Sequence, residues 1–236
     1  MSLDMTIFRP GCHMVSMGDG MSICSPKGGA AAGNGLLNNL VAYWPGNEVA
    51  GNALDLHTNA LHLTDVNTVT SNPGLSYPLA RQYTLPNEYH TRPGDDALLS
   101  TGDVDFTIAC CVRLDALAAN MTFAGKYLTV GNQREYRVQY NQVANRIRFL
   151  VSSGGTAATV VTLPANTLGA PAINTWYLLI AWHDAVANTI NIEVNNGGVD
   201  SLAHAAGVWD GTGAFAIGAY ADPAEHMDGR IGPTMF

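Results

Sequence analysis

Residues 105–113 read DFTIACCVR, a run in which every second side chain is apolar. Successive side chains of a β-strand point to opposite faces. One face of this stretch would therefore carry Phe106, Ile108, Cys110 and Val112. A face of this kind is typical of an antiparallel strand that packs one side against a core. The stretch predicts a protein built from β-sheets.

Residues 135–141 and 145–151 repeat this alternation and predict a β-hairpin. The inner face is expected to carry Tyr136, Val138, Ile147 and Phe149. The outer face is expected to carry Arg137, Gln139, Arg146 and Arg148. If Tyr140 pairs with Asn145, Arg137 lies opposite Arg148, an unfavourable pairing of like charges.

Two further stretches extend the sheet. Residues 176–182 read WYLLIAW, which is apolar on both faces and predicts a central strand covered on both sides. Residues 189–194 read TINIEV and are followed by NNGG, a strong turn signal. The predicted fold class is all-β, a two-sheet antiparallel jelly-roll sandwich formed by residues 38–236.

The composition excludes several classes of protein. The chain has 236 residues, of which 47% are hydrophobic and 13% charged, with 25 glycines and 11 prolines. Such a composition suits short strands joined by tight turns. The formal net charge of −8 argues against nonspecific binding to nucleic acid. No stretch approaches the roughly 20 apolar residues that a membrane span needs.

The N-terminal segment differs from the rest. Residues 13–17 and 21–25 flank a Gly-Asp-Gly turn and predict a β-hairpin, so residues 1–26 form an N-terminal arm. Its candidate contact residues are Met14, Met17, Met21 and Ile23. Residues 27–37 are a Gly/Ala-rich linker. An isolated hairpin is at best marginally stable. We therefore expect the arm to pack against this domain or a neighbouring chain.

Several motifs resemble a known family. Residues 40–45 (LVAYWP), 103–108 (DVDFTI), 174–177 (NTWY) and 228–231 (DGRI) follow the order found in laminin G-like jelly rolls of the concanavalin A-like lectin/glucanase superfamily. Residues 133–136 (QREY) are similar to versions in bacterial and phage-encoded proteins. The resemblance implies the jelly-roll fold over residues 38–236. It does not decide the function, because this fold hosts lectins, adhesion modules, enzymes and virion proteins.

Catalysis is not expected. A glucanase of this superfamily needs carboxylates alternating along one strand, and residues 190–194 hold only Glu193. We therefore predict a non-enzymatic protein with no catalytic residues. The resemblance implies a possible Ca²⁺ site at Asp55 and Asn59, and no other cofactor. The alternative is that these two residues form turns.

Two groups of side chains are candidate binding sites. Arg137, Arg146 and Arg148 could form an interaction patch for an acidic surface or an anionic glycan, or simply a solvated face. The aromatic residues near loops could stack on sugar rings; they are Trp209, Tyr220, Tyr89 and Tyr83, with Trp209 the first choice.

Two functions compete. The first is a virion surface protein of a bacteriophage, either a capsid (head) decoration or a tail component, that joins a homo-oligomer or other protein subunits through its N-terminal arm. The alternative is a carbohydrate-binding or adhesion module at a cell surface or outside the cell. Neither function requires nucleic acid or a membrane as a partner.

Overall fold

The computed structural model describes residues 39–84, 86–222 and 224–236, together with the backbone of three short strands near the N-terminus. The strands are β1 Met5–Thr6, β2 Cys12–Ser16, β3 Met21–Pro26, β4 Tyr43–Trp44, β5 Thr64–Val66, β6 Thr70–Pro73, β7 Leu79–Tyr83, β8 Tyr89–Arg92, β9 Phe106–Leu114, β10 Met121–Leu128, β11 Gln133–Asn141, β12 Arg146–Gly155, β13 Val160–Pro164, β14 Trp176–Asp184, β15 Thr189–Val194, β16 Asp200–Ala203, β17 Phe215–Ile217 and β18 Gly229–Met235. Single 3-10 turns occur at Val130–Asn132 and Ala157–Thr159.

Two antiparallel sheets form a sandwich. One has seven strands in the order β13-β12-β11-β10-β17-β8-β5. The other has eight, in the order β16-β15-β14-β9-β18-β7-β6, with β4 paired to β18. The predicted all-β, two-sheet antiparallel fold is therefore confirmed. Within the described residues, no helix is long and apolar enough to cross a membrane.

The predicted apolar face of β9 lies in the core. Phe106, Ile108, Cys110 and Val112 are all buried there. The strand is hydrogen-bonded to β14 on one side and to β18 on the other. Across the sandwich, the Trp44 ring stacks on Phe215 of the seven-stranded sheet at 5.1 Å between centroids. The alternation places apolar side chains on the inner face of the sheet. Aromatic contacts such as this one then pack the two sheets around one core.

The central strand β14 is covered on one side only. Tyr177, Leu179 and Ala181 face the core as predicted. The residues that alternate with them, Trp176, Leu178, Ile180 and Trp182, are partly exposed on the outer face. The prediction that this strand is covered on both faces is therefore wrong. A strand with an apolar outer face and a strand buried on both faces have the same apolar composition. They differ only in whether one or two layers of the protein pack against them.

The hairpin of β11 and β12 has the predicted faces but a different register. The inner residues Tyr136, Val138, Ile147 and Phe149 are fully buried. Tyr140 pairs with Ile147 instead of Asn145, which places Gln139 opposite Arg148 and Arg137 opposite Leu150. A four-residue connection, 142–145, shifts the pairing by two residues. Because the side-chain period is two, this shift leaves both faces unchanged.

The N-terminal strands form a sheet of their own. β2 and β3 pair antiparallel, with Met14 opposite Cys24 and Val15 opposite Ile23, and β1 pairs parallel with β3. The predicted pairing of the two arm strands is present in the backbone. Met17 and the linker 27–37 lie outside the described residues, and the contacts of Met14, Met21 and Ile23 stay predictions.

Candidate functional site

The outer face of the seven-stranded sheet collects polar side chains from β11 and β12. Arg137 and Gln139 alternate with core residues of β11, and Arg148 does so on β12. These side chains point away from the core, yet Arg137 is only 7% exposed and Gln139 is fully buried. This part of the outer face is therefore a covered polar surface.

The loop after β17 lies against this face. The Ala221 N–H donates to the Tyr127 carbonyl at 3.0 Å, which joins the loop to β10. The Asp222 carboxylate accepts a hydrogen bond from the Thr129 N–H at 2.6 Å. These two bonds hold the half-buried ring of Tyr220 beside the outer end of β10.

Arg137 lies between two tyrosine rings. Its guanidinium carbon is 4.1 Å from the centroid of Tyr127 and 5.0 Å from that of Tyr220. Its Nη1 donates to the Glu225 carboxylate at 2.8 Å and to the Thr122 hydroxyl at 3.3 Å. Cation–π contacts and a charge-assisted hydrogen bond therefore fix Arg137 and, through it, the two rings.

Two polar side chains beside Arg137 lack partners. Gln139 lies directly opposite Arg148. Both amide atoms of Gln139 and the Nε of Arg148 are buried without a hydrogen bond to any residue that the structure describes. Burial and the nearby charge of Arg137 lower the pKa of Arg148. Buried polar groups are normally hydrogen-bonded. The arrangement is thus suited to a polar ligand.

We name this set the sheet-face cluster; it comprises Tyr127, Arg137, Gln139, Arg148 and Tyr220. It unites one member of the predicted aromatic group with two of the three predicted arginines. The third, Arg146, stands apart at the hairpin end, where it pairs with Asn141 and donates to the Asn145 carbonyl at 2.8 Å.

Simple alternation does not predict Tyr127 in the cluster. Phe123 is a core residue, so Tyr127, four positions later, would also face the core. A bulge between Thr122 and Ala124 places both Phe123 and Ala124 in the core, which reverses the alternation and lets Tyr127 contact Arg137. The nearest sequence signal is Gly125, two residues after the bulge, since glycine in a strand often marks such an irregularity.

Tyr83 is not a sugar-stacking residue, contrary to the prediction. It is 1% exposed, and its hydroxyl is hydrogen-bonded to Nδ1 of His90 at 2.9 Å. The absent side chain of Gly218 makes room for the ring, because a Cβ there would lie 2.5 Å from Tyr83. Strand β7 places the Tyr83 side chain on its inner face. Closeness to a loop in the sequence was therefore not a sign of exposure.

Tyr89 and Trp209 are accessible, but neither touches the cluster. The partly exposed Tyr89 lies 6.2 Å from the His226 ring, centroid to centroid. Trp209 is 39% exposed, and its backbone N–H donates to the Ser152 carbonyl at 2.7 Å. Its indole N–H is 3.4 Å from the Gln133 side-chain oxygen. Trp209 therefore forms a second aromatic surface at the end of β12.

Asp55 and Asn59 organise a turn. The Asp55 carboxylate accepts backbone hydrogen bonds from Tyr43, His57 and Leu61, each at 2.8 Å. The Asn59 amide donates to the Val41 carbonyl at 2.9 Å. This geometry matches the turn-forming alternative. Among the described residues, no three His, Cys, Asp or Glu side chains are grouped to hold a metal ion.

A buried ion pair lies beneath the cluster's strands. Lys126 and Glu135 are both fully buried and paired, and Lys126 Nζ is also 2.9 Å from an Asp95 oxygen. Burial raises the pKa of Glu135 to about 7, while Lys126 limits the rise. Lys126 thus pairs with two carboxylates, those of Glu135 and Asp95.

Comparison with solved structures shows the same fold. Domain 4 of AbnA, a GH43 extracellular arabinanase from Geobacillus stearothermophilus solved with arabinotriose, matches at a TM-score of 0.61 and 13% identity, covering 83% of this chain and 90% of that one. The binding domain of Paraclostridial Mosquitocidal Protein 1 matches at 0.61 and 11%, covering 85% and 48%. The botulinum neurotoxin serotype D binding domain matches at 0.59 and 7%, covering 84% and 48%.

This chain spans about half the length of the two toxin chains. The sequence comparisons define its family. No curated protein matches the sequence significantly. The profile of a laminin G-like family described as the concanavalin A-like lectin/glucanases superfamily matches residues 87–234, more than half of the chain. Together with the two-sheet sandwich, this match shows that the chain belongs to the concanavalin A-like lectin/glucanases superfamily.

Proposed function

We propose that this protein is a non-enzymatic carbohydrate-binding module whose glycan lies on the sheet-face cluster. One observation carries the proposal. Two tyrosine rings, Tyr127 and Tyr220, are held by Arg137 next to the unpartnered polar groups of Gln139 and Arg148. A module of this kind acts at a cell surface or outside the cell.

The cluster has the chemistry that a sugar requires. Ligand sites combine apolar or aromatic surface with a few fixed polar groups that set orientation. A pyranose ring offers C–H groups to an aromatic face and hydroxyls to donors and acceptors at its edge. Tyr220 supplies the partly exposed ring, and the Gln139 amide supplies both a donor and an acceptor.

The solved structures support this function by analogy. A domain of similar fold was solved in complex with arabinotriose, and two others are binding domains of toxins. The non-enzymatic part of the proposal is supported by Glu135, whose carboxylate is occupied by Lys126. Similarity of fold does not indicate which sugar is bound. The choice of sugar depends on the residues of the cluster.

A glycan array with the purified protein tests the proposal, followed by titration of the bound glycans with Tyr220→Ala and Trp209→Ala. We expect Tyr220→Ala to weaken binding by about tenfold or more, as for loss of an aromatic anchor. Trp209→Ala should leave affinity unchanged. Thermal melting would establish that both variants fold.

Two results would count against the proposal. Absence of binding to every glycan would remove the carbohydrate function. Loss of binding in Trp209→Ala, with Tyr220→Ala unaffected, would move the site to the second aromatic surface.

A second candidate is assembly into a virion through the N-terminal arm. Its support is that β1, β2 and β3 pair with each other and belong to neither sheet of the sandwich. Strands with free edges can pair across subunits. Removal of residues 1–35 should then convert an oligomer to monomers in light scattering while the sandwich melts normally. An unchanged mass would reject this role.

A further inference from the structure

We infer that the glycan bound by the sheet-face cluster is anionic, with a carboxylate that pairs with Arg148 and contacts the Gln139 amide. This inference rests on the proposed function and specifies its ligand class. It starts from a difference between the two arginines of the cluster.

Arg137 already has its counter-charge, but Arg148 does not. The Glu225 carboxylate is 2.8 Å from Arg137 Nη1, and the two form an ion pair. The Arg148 side chain is partly buried and has neither a hydrogen bond nor an ion pair with any described residue. A partly desolvated cation without a partner is unfavourable, and an incoming anion removes that penalty.

The electrostatic surroundings favour an anion at this position. Burial is the main cause that lowers the pKa of Arg148, and repulsion by Arg137 is the next. Glu225 opposes the repulsion, but it is already committed to Arg137. An additional negative charge would therefore be attracted by both guanidinium groups.

Gln139 provides the second contact. Opposed residues of antiparallel strands have Cβ atoms about 4.5–5.5 Å apart, so Gln139 and Arg148 can reach the same ligand. The Gln139 amide is fully buried, and its nitrogen and oxygen are both unpartnered. Arg148 has a long, flexible stem. Its movement toward a ligand would open the amide, whose N–H₂ donates to a carboxylate oxygen and whose carbonyl accepts from a sugar hydroxyl.

The positive charge of the cluster is concentrated locally, so the cluster can select an anionic ligand. Four of the 11 basic residues of the chain lie on β11 and β12, although the net charge is −8. The Debye length is about 8 Å at physiological ionic strength, so distant acidic residues do not cancel a contact ion pair. A neutral glycan would stack on the Tyr220 ring and leave Arg148 unpaired.

The test compares carboxylated polysaccharides with their uncharged forms. Polygalacturonate, alginate and hyaluronan are titrated against the full-length protein, each beside its carboxyl-reduced counterpart, with dextran sulfate and dextran as a sulfate arm. We expect at least one carboxylated polymer to bind about tenfold more tightly than its reduced form, because a charge-assisted hydrogen bond is lost on reduction. Stronger binding of dextran sulfate than of every carboxylated polymer would overturn the assignment to carboxylate.

Arg148→Gln and Arg146→Gln separate a specific contact from general charge. Both remove one positive charge from β12, but Arg146 lies outside the cluster. Arg148→Gln should abolish the preference for the carboxylated form, while Arg146→Gln should retain it. If neutral and carboxylated polymers bind equally and Arg148→Gln changes nothing, the inference fails and the carbohydrate function stands. If no carbohydrate binds, in the array or here, both fail.

Discussion

The guanidinium of Arg137 lies over the ring of Tyr127, 4.1 Å from its centroid, while the Glu225 carboxylate holds its Nη1 at 2.8 Å. This contact links strand β11, strand β10 and the loop after β17. Arg137, which is 7% exposed, thus holds the loop above the sheet together with the hydrogen bonds made by Ala221 and Asp222.

Arg137→Lys should loosen this loop. Lysine keeps the charge but lacks the planar guanidinium that both stacks on a ring and donates sideways to Glu225. We expect a loss of about 1–3 kcal/mol in the free energy of unfolding, measured by urea denaturation. Glycan affinity should also fall. Stability equal to that of the wild type would show that the guanidinium contributes no more than its charge.

Lys126→Met should be strongly destabilising, and more so at high pH. It leaves the buried Glu135 without its cation, at a cost of about 3–5 kcal/mol where Glu135 is ionised. The pKa of Glu135, already raised to about 7 by burial, would rise further, so protonation would relieve the penalty near pH 5. Denaturation at pH 5 and pH 8 tests this.

The double variant Lys126→Met/Glu135→Gln is the control, because no buried charge remains between these two positions. Its unfolding free energy should change much less between pH 5 and pH 8 than that of Lys126→Met. Equal pH dependence of the two variants would contradict the assignment.

His90 should make the fold acid-sensitive. Burial, followed by the charge of Arg81, lowers the pKa of His90 from 6.5 to about 4. The folded state thus binds this proton less tightly than the unfolded chain. Its contribution to stability is complete above pH 6.5 and is lost as pH falls toward 4, by about 3 kcal/mol in total. The groups facing the imidazole are Arg81, Tyr83, Asp65 and the Gly51 carbonyl.

His90→Gln isolates this effect from the other titrating groups. The variant should be less stable than the wild type at pH 7, because it disturbs the bonds to Tyr83 and Arg81. Its unfolding free energy should decline less between pH 6.5 and pH 4.5. A decline as steep as that of the wild type would assign the acid sensitivity to other residues.

Gly125→Ala should disturb the cluster from below. A Cβ at this position would lie 2.5 Å from the Tyr136 carbonyl oxygen and 2.6 Å from the Arg137 Cα, so the strand must shift. We expect a loss of about 1–3 kcal/mol in stability, together with weaker glycan binding. Gly232→Ala is the matched control, because its nearest neighbour would be Cys111 Cβ at 3.6 Å. Equal unfolding midpoints for the two variants would disprove the steric argument.

The sequence alone determined which faces of β9, β11 and β12 are buried. The side-chain period of two places Phe106, Ile108 and Cys110 on one side of β9 without reference to any other part of the chain. The same period placed Arg137 and Arg148 together on the outer face, even though the predicted register was two residues out. Alternation is a local property, so local sequence is sufficient to predict it.

Tertiary structure alone decided which outward residues meet. A bulge brought Tyr127 to Arg137, and a loop some 80 residues further on supplied Tyr220 and Glu225. Tyr83, also near a loop in sequence, was instead turned into the core against Gly218. These outcomes depend on contacts between distant segments and on breaks in the strand period. The cluster exists because the sandwich packs those segments together, and no single stretch of sequence contains it.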